Sequence, residues 1–109
     1  FVENSVGLIN GFQLYQNYPN PFGKAIHSDN PTTKISWQSP VSGRQTLKIF
    51  DILGNEVATL VDEYRGAGIY EIEFSSGVSG QEKSLSSGVY FYQLKVGEFV
   101  QTKKMFLIK

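Results

Sequence analysis

The residue types of a hydrolytic triad occur together once in the chain, as the consecutive residues His27, Ser28 and Asp29. A nucleophile, its base and the acid that orients the base must converge from different elements, which three neighbours in one polar loop cannot do. His27 is also the sole histidine, so nucleophilic catalysis is not expected. Glu71 and Glu73 would lie about 7 Å apart along a strand, a spacing that invites comparison with paired glycosidase carboxylates. Both belong to the polar side of an alternating stretch and are expected in solvent. Tyr15, Tyr18 and Tyr64 are aromatics that could stack on sugar rings, which makes a carbohydrate-binding module one reading of the chain.

The last residues offer a different chemistry. Lys103, Lys104 and Lys109 bracket the apolar Met105, Phe106, Leu107 and Ile108. A strand with positive charge at either end suits addition to a receptor through its main-chain groups. It equally suits an edge strand guarded by lysines against aggregation. Met105 and Leu107 share one parity and Phe106 and Ile108 the other, so this strand is either covered on both faces or offers one to a partner.

The elements that must carry these residues are strands. No window of ten or more residues holds apolar side chains at helical spacing without a Gly, a Pro or a strand-like alternation. Seven β-branched and aromatic runs are predicted as strands, at 12–16, 33–38, 45–51, 56–61, 69–75, 88–95 and 99–108. Turn-forming clusters separate them, and this spacing predicts an all-β antiparallel sandwich in one domain. Period-two alternation turns Ile35, Trp37, Leu47 and Ile49 inward. It sets Tyr70, Ile72 and Phe74 against Glu71 and Glu73, and it puts Tyr90, Tyr92 and Leu94 inside with Phe91 partly exposed.

Two turns have a defined chemistry. In NYPNPF, Pro19 and Pro21 fix φ and push Tyr18 and Asn20 toward extended geometry, which predicts a stiff corner without regular hydrogen bonding, plugged into the core by Phe22. In DILGNE, Gly54 and Asn55 can supply the positive φ values of a tight reversal that Asp51 caps.

Composition sets the remaining limits. The chain has 109 residues, enough for one hydrophobic core, with eight Phe, six Tyr and one Trp to fill it. Ten basic residues balance ten acidic ones, so no net field draws the chain to nucleic acid or anionic membrane. The absence of cysteine excludes disulfides and thiolate metal sites, and stability must come from packing. No apolar run approaches the roughly 20 residues of a membrane-spanning helix. There is no phosphate loop, zinc pattern or helix-loop-helix calcium loop, so neither cofactor nor small-molecule substrate is expected. The opening FVENSVGLINGF lacks the pattern of a signal peptide, and residues 1–11 read as a linker or the tail of a preceding domain, with the sandwich over 12–109.

Four separated strings then stand in one order: LYQNYPNPF at 14–22, NPTTKISW at 30–37, LKIFDILGNEVATLV at 47–61 and SSGVYFYQLKVGEFVQTKKMFLIK at 86–109. Together they resemble the type A C-terminal sorting domain of the Bacteroidetes-type type IX secretion system. Two departures from that family fall between strands, an insertion over 23–29 and a lengthened loop over 80–84, where added length is tolerated. The resemblance implies an Ig-like fold and a structural role for Pro19, Asn20, Pro21, Phe22, Gly54, Asn55, Gly88 and Tyr90. It implies that the chain is no enzyme but the sorting signal of a larger cargo, which reaches the outside or the cell surface by way of the periplasm. The expected partners are the translocon and a sortase-like protease that can cleave the domain and attach the cargo to the surface, with Lys103 to Lys109 as the segment read by the machinery. The expected oligomeric state is a monomer or a weak dimer through the last strand. The alternatives are a carbohydrate-binding module and an Ig-like spacer of an extracellular enzyme, and the terminal position of the domain argues against the spacer.

Overall fold

The structure, a computed structural model, describes residues 11–23, 32–75 and 85–109. Seven strands run through them in chain order: β1 Gln13–Leu14, β2 Thr33–Ser39, β3 Gly43–Phe50, β4 Glu56–Arg65, β5 Gly68–Phe74, β6 Gly88–Val96 and β7 Phe99–Leu107. They form two antiparallel sheets, one ordered β1-β2-β5 and the other β4-β3-β6-β7. This is the expected all-β sandwich of seven strands, with the interleaved strand order of an Ig-like fold. Tyr90 adds an Ig-like detail near the start of β6, where its hydroxyl donates to the Ser86 carbonyl oxygen at 2.7 Å, four residues back.

Alternation builds the core as the sequence dictates. Ile35 and Trp37 from one sheet meet Leu47, Ile49, Tyr92, Leu94, Met105 and Leu107 from the other, all of them buried. A fully buried side chain of this size contributes about 1.5–3 kcal/mol, and a cysteine-free chain has no covalent substitute for it. Asn17, Thr33, Ser39 and Gln45 are the buried polar residues among those described. Trp37 Nε1 donates to Gln45 Oε1 at 2.9 Å, and the buried Nε2 of Gln45 has no partner among the described residues.

Three elements differ from expectation. The first strand shrinks from 12–16 to two residues because the chain leaves the ladder at Asn17, whose side chain turns inward to Thr33. β4 runs on to Arg65 rather than stopping at 61, since an edge strand covered on one side accepts charged residues on the other. The final strand is not covered on both faces. Met105 and Leu107 are buried, while Phe106 and Ile108 remain 39% and 40% exposed.

Candidate functional site

Strand β7 lies at the edge of the four-stranded sheet, bonded to β6 on one side. In an antiparallel ladder alternate residues turn their N–H and C=O groups away from the neighbour, and in β7 these are the even-numbered ones. Over its second half they are taken. Phe22 N donates to Phe106 O at 3.0 Å and Ile108 N donates to Phe22 O at 2.8 Å. Phe106 N donates to Asn20 Oδ1 at 2.9 Å, and Gln16 Nε2 donates to Lys104 O at 2.8 Å. Among the described residues, Val100, Thr102 and the N–H of Lys104 keep open outward groups on this strand. Strand addition along the whole of 103–109 therefore meets an edge already clasped by the protein's own chain.

The clasp, residues 16–23, is anchored from both sheets. Tyr18 and Lys34 exchange two main-chain bonds of 3.0 and 2.9 Å across to β2. Asn17 N donates to the Tyr92 hydroxyl at 2.9 Å, and that hydroxyl donates to Tyr15 O at 2.8 Å. Asn17 Nδ2 donates to Thr33 Oγ1, which donates on to Pro19 O at 2.8 Å. The Tyr18-Pro19 and Asn20-Pro21 bonds are both cis. The expectation of a corner without regular hydrogen bonding is thus corrected: Tyr18 bridges to one sheet and Phe22 to the other. Phe22 is fully buried with its ring 6.0 Å from that of Phe74.

Gly23, which the sequence assigns to the inserted loop, belongs to the clasp. It is buried at φ 125°, and a Cβ there would overlap the carbonyl oxygen of Ile108. The remainder of that insertion, including His27, and the lengthened loop over 80–84 lie outside the described residues.

Other sequence-predicted residues gather at the same end of the sandwich. Gly88 opens β6 opposite Leu107, and Tyr90 stands opposite Met105. Lys109 N donates to Ser87 Oγ at 2.9 Å. The turn after β3 is closed by Asp51, whose Oδ1 accepts from Leu53 N and Asn55 N at 2.9 Å each. Gly54 alone takes a positive φ, 89°, so Asn55 does not share that role. It donates instead to Asp51 through main chain and side chain.

The bond from Asn55 N, followed by those from its side chain and from Leu53 N, holds the Asp51 carboxyl below its ordinary value. A lowered carboxylate contributes stability above its unfolded pKa, and that contribution is lost as pH falls through the folded one. Asp51→Ala is therefore expected to lower the melting temperature at about pH 7, with the difference closing as pH falls below the ordinary aspartate range. Parallel thermal melts of both proteins check this, and a gap that persists in acid would contradict it.

The lysines at the last strand do not act together. Lys103 is half-buried on the core side, while Lys104 is exposed on the outer face with its Nζ 5.8 Å from the Phe106 ring. That face continues through Phe91 and Phe50, which stand in register on β6 and β3, and it holds a shallow groove of about 250 Å³ between Phe91, Thr102 and the Asp51 turn. Tyr15 and Tyr18 flank β2 whereas Tyr64 stands opposite Arg44 on the other sheet, so the three form no common platform. Glu71 and Glu73 are solvent-facing, and Glu71 pairs with Lys34 at 3.6 Å. Among the described residues, no group of His, Asp and Glu side chains could hold a metal ion. Sequence reasoning missed Gln16 and Ser87, for which no local pattern exists. It also missed Gly23, whose place directly after Phe22 was the available signal.

Residues 16–109 match the family of secretion system C-terminal sorting domains. Among solved structures the fold is similar to part of PorZ, an essential bacterial surface component of the type-IX secretion system of Porphyromonas gingivalis. That similarity has a TM-score of 0.58 at 17% identity and covers 88% of this chain and 11% of PorZ. No curated protein sequence matches the chain.

Proposed function

The chain belongs to the family of secretion system C-terminal sorting domains, and from that membership we propose that it is the folded export label by which a type IX machinery recognises a larger cargo. The observation that carries the reading is that the match runs through β7, whose outer face presents Lys104, Phe106 and Ile108 while its edge is held by the clasp. With the edge engaged, the translocon reads side chains of that face rather than a bare ladder. The apolar pair supplies contact area, and Lys104 supplies a charge that orients it.

Under this reading the cargo arrives in the periplasm by a separate signal and crosses the outer membrane by this domain. A sortase-like protease then removes the label and leaves the cargo on the surface or free outside. The label itself binds and is read, and performs no catalysis.

The test is a periplasmic reporter fused ahead of the domain in a host with type IX machinery. Combining Lys104→Glu, Phe106→Ser and Ile108→Ser is expected to lower export at least about tenfold, the loss of about 1.4 kcal/mol of recognition. Thermal melts should show the variant still folded at the assay temperature, because the buried Met105 and Leu107 of the same strand are untouched. Deleting Lys104 to Lys109 should abolish export together with the fold. Undiminished export of the folded triple variant would overturn the assignment of this face.

A further inference from the structure

The four strands at the sheet margins are not protected equally. β1 is two residues long. The second half of β7 is clasped by Gln16, Asn20 and Phe22. β4 is broken by two register shifts against β3, which leave Leu60 and Val57 as extra residues, and such bulges twist an edge away from further pairing.

β5 has none of these devices. Its seven residues pair with β2 in one unbroken register. Lys34 and Ser36 turn their main-chain groups toward the β1 side, to Tyr18 and Tyr15, so the odd-numbered residues of β2 bond to β5. The outward groups of β5 are then those of Ile69, Glu71 and Glu73, and among the described residues none has a partner.

The seam beside this edge leaves apolar side chains partly in solvent. Along the opposite seam Phe12 and Phe99 stack at 4.4 Å and close the sandwich. Here Val57, Leu60, Tyr70 and Ile72 pack against the core while remaining partly exposed. Arg65 shuts one end, with its guanidinium 5.0 Å from the Tyr70 ring. A regular free edge beside partly exposed apolar side chains is the geometry that accepts an added strand.

Charge decides which strand. The outward-bonding residues carry their side chains on the outer face, where Ile69 is 67% exposed, Glu71 pairs with Lys34 at 3.6 Å and Glu73 stands opposite Lys34 in the ladder. Self-pairing of two β5 edges about Glu71 would set glutamate opposite glutamate, an unfavourable cross-strand pair. We propose that the β5 edge is a second docking site, independent of the export face on β7, and that it takes an extended segment of a partner protein alternating basic and apolar residues. The basic side chains would stand opposite Glu71 and Glu73, and the apolar ones would cover Tyr70 and Ile72.

The probe is a capped seven-residue peptide alternating lysine with valine, with a glutamate–valine peptide as control, added to the 109-residue chain during amide exchange. The lysine peptide is expected to slow exchange of the Ile69, Glu71 and Glu73 amides at least about tenfold, and the glutamate peptide to leave them unchanged. The Glu71→Lys, Glu73→Lys double variant should reverse that preference. Glu71→Pro, which removes an outward N–H and leaves the β2 ladder whole, should abolish protection by either peptide without loss of melting temperature. Equal response to both peptides, or to neither, would overturn the proposal. So would edge amides already slow in the free chain, meaning that its own residues fill the site, or protection that rises with protein concentration, meaning a second copy.

Discussion

Gly23→Ala is expected to destabilise the domain by about 3 kcal/mol, a large share of the whole stability of a fold this size. Two effects add. At φ 125° any residue with a Cβ is strained, and here the Cβ would also overlap the Ile108 carbonyl oxygen. That oxygen belongs to main chain and cannot rotate aside, so relief requires the clasp to lift from β7. The bonds Phe22 N to Phe106 O and Ile108 N to Phe22 O would then weaken together. Urea denaturation measures the loss, with Gly66→Ala as control, since a Cβ there meets nothing nearer than the Ser42 hydroxyl at 3.9 Å. Equal midpoints for the two variants would show that the clasp is not held as described.

The second large effect falls on Tyr92. Its ring is fully buried and its hydroxyl joins Asn17 N to Tyr15 O. Tyr92→Phe leaves the buried Asn17 N–H and the part-buried Tyr15 carbonyl without their shared partner, at a cost of about 2 kcal/mol. Burial pushes the phenol up to about 12 from its ordinary 10.0, against the bond from Asn17 N, which lowers it. A raised pKa means that the stabilisation is complete below the unfolded value and is lost as pH climbs through the folded one. The gap between wild type and Tyr92→Phe should therefore be constant up to about pH 9 and shrink between about pH 10 and 12. Denaturant melts across that range provide the check, and a constant gap would mean that the phenol is not sealed from water.

Much of this architecture is written locally. The alternation in Tyr70, Glu71, Ile72, Glu73 and Phe74 needs nothing beyond a period of two to place β5, and the apolar parity of Leu47 and Ile49 orients β3 in the same way. What escapes is whatever depends on two distant segments meeting. Gln45 has the parity of a core residue but the type of a surface one, and its burial makes sense only once Trp37 Nε1 needs an acceptor. Asn17 ends β1 because the Tyr92 hydroxyl and Thr33 wait for it. The lysines of the last strand read as one charged frame, yet the pleat sends Lys103 inward and Lys104 outward. The edge of β7 looks open in sequence because its cover comes from Gln16 to Phe22, more than eighty residues earlier in the chain.

That separation has a bearing on when the protein can finish folding during its synthesis. The clasp leaves the ribosome first and must wait for the strand it holds, because Phe22 finds its ladder partners only after β7 has emerged. Pairings between such remote segments form slowly, so until then the nascent protein is an unlatched sandwich with Phe22 short of its full contacts. A polypeptide broken off before β7 would never latch, so the Phe22–Phe106 ladder exists only in a domain synthesised through that strand.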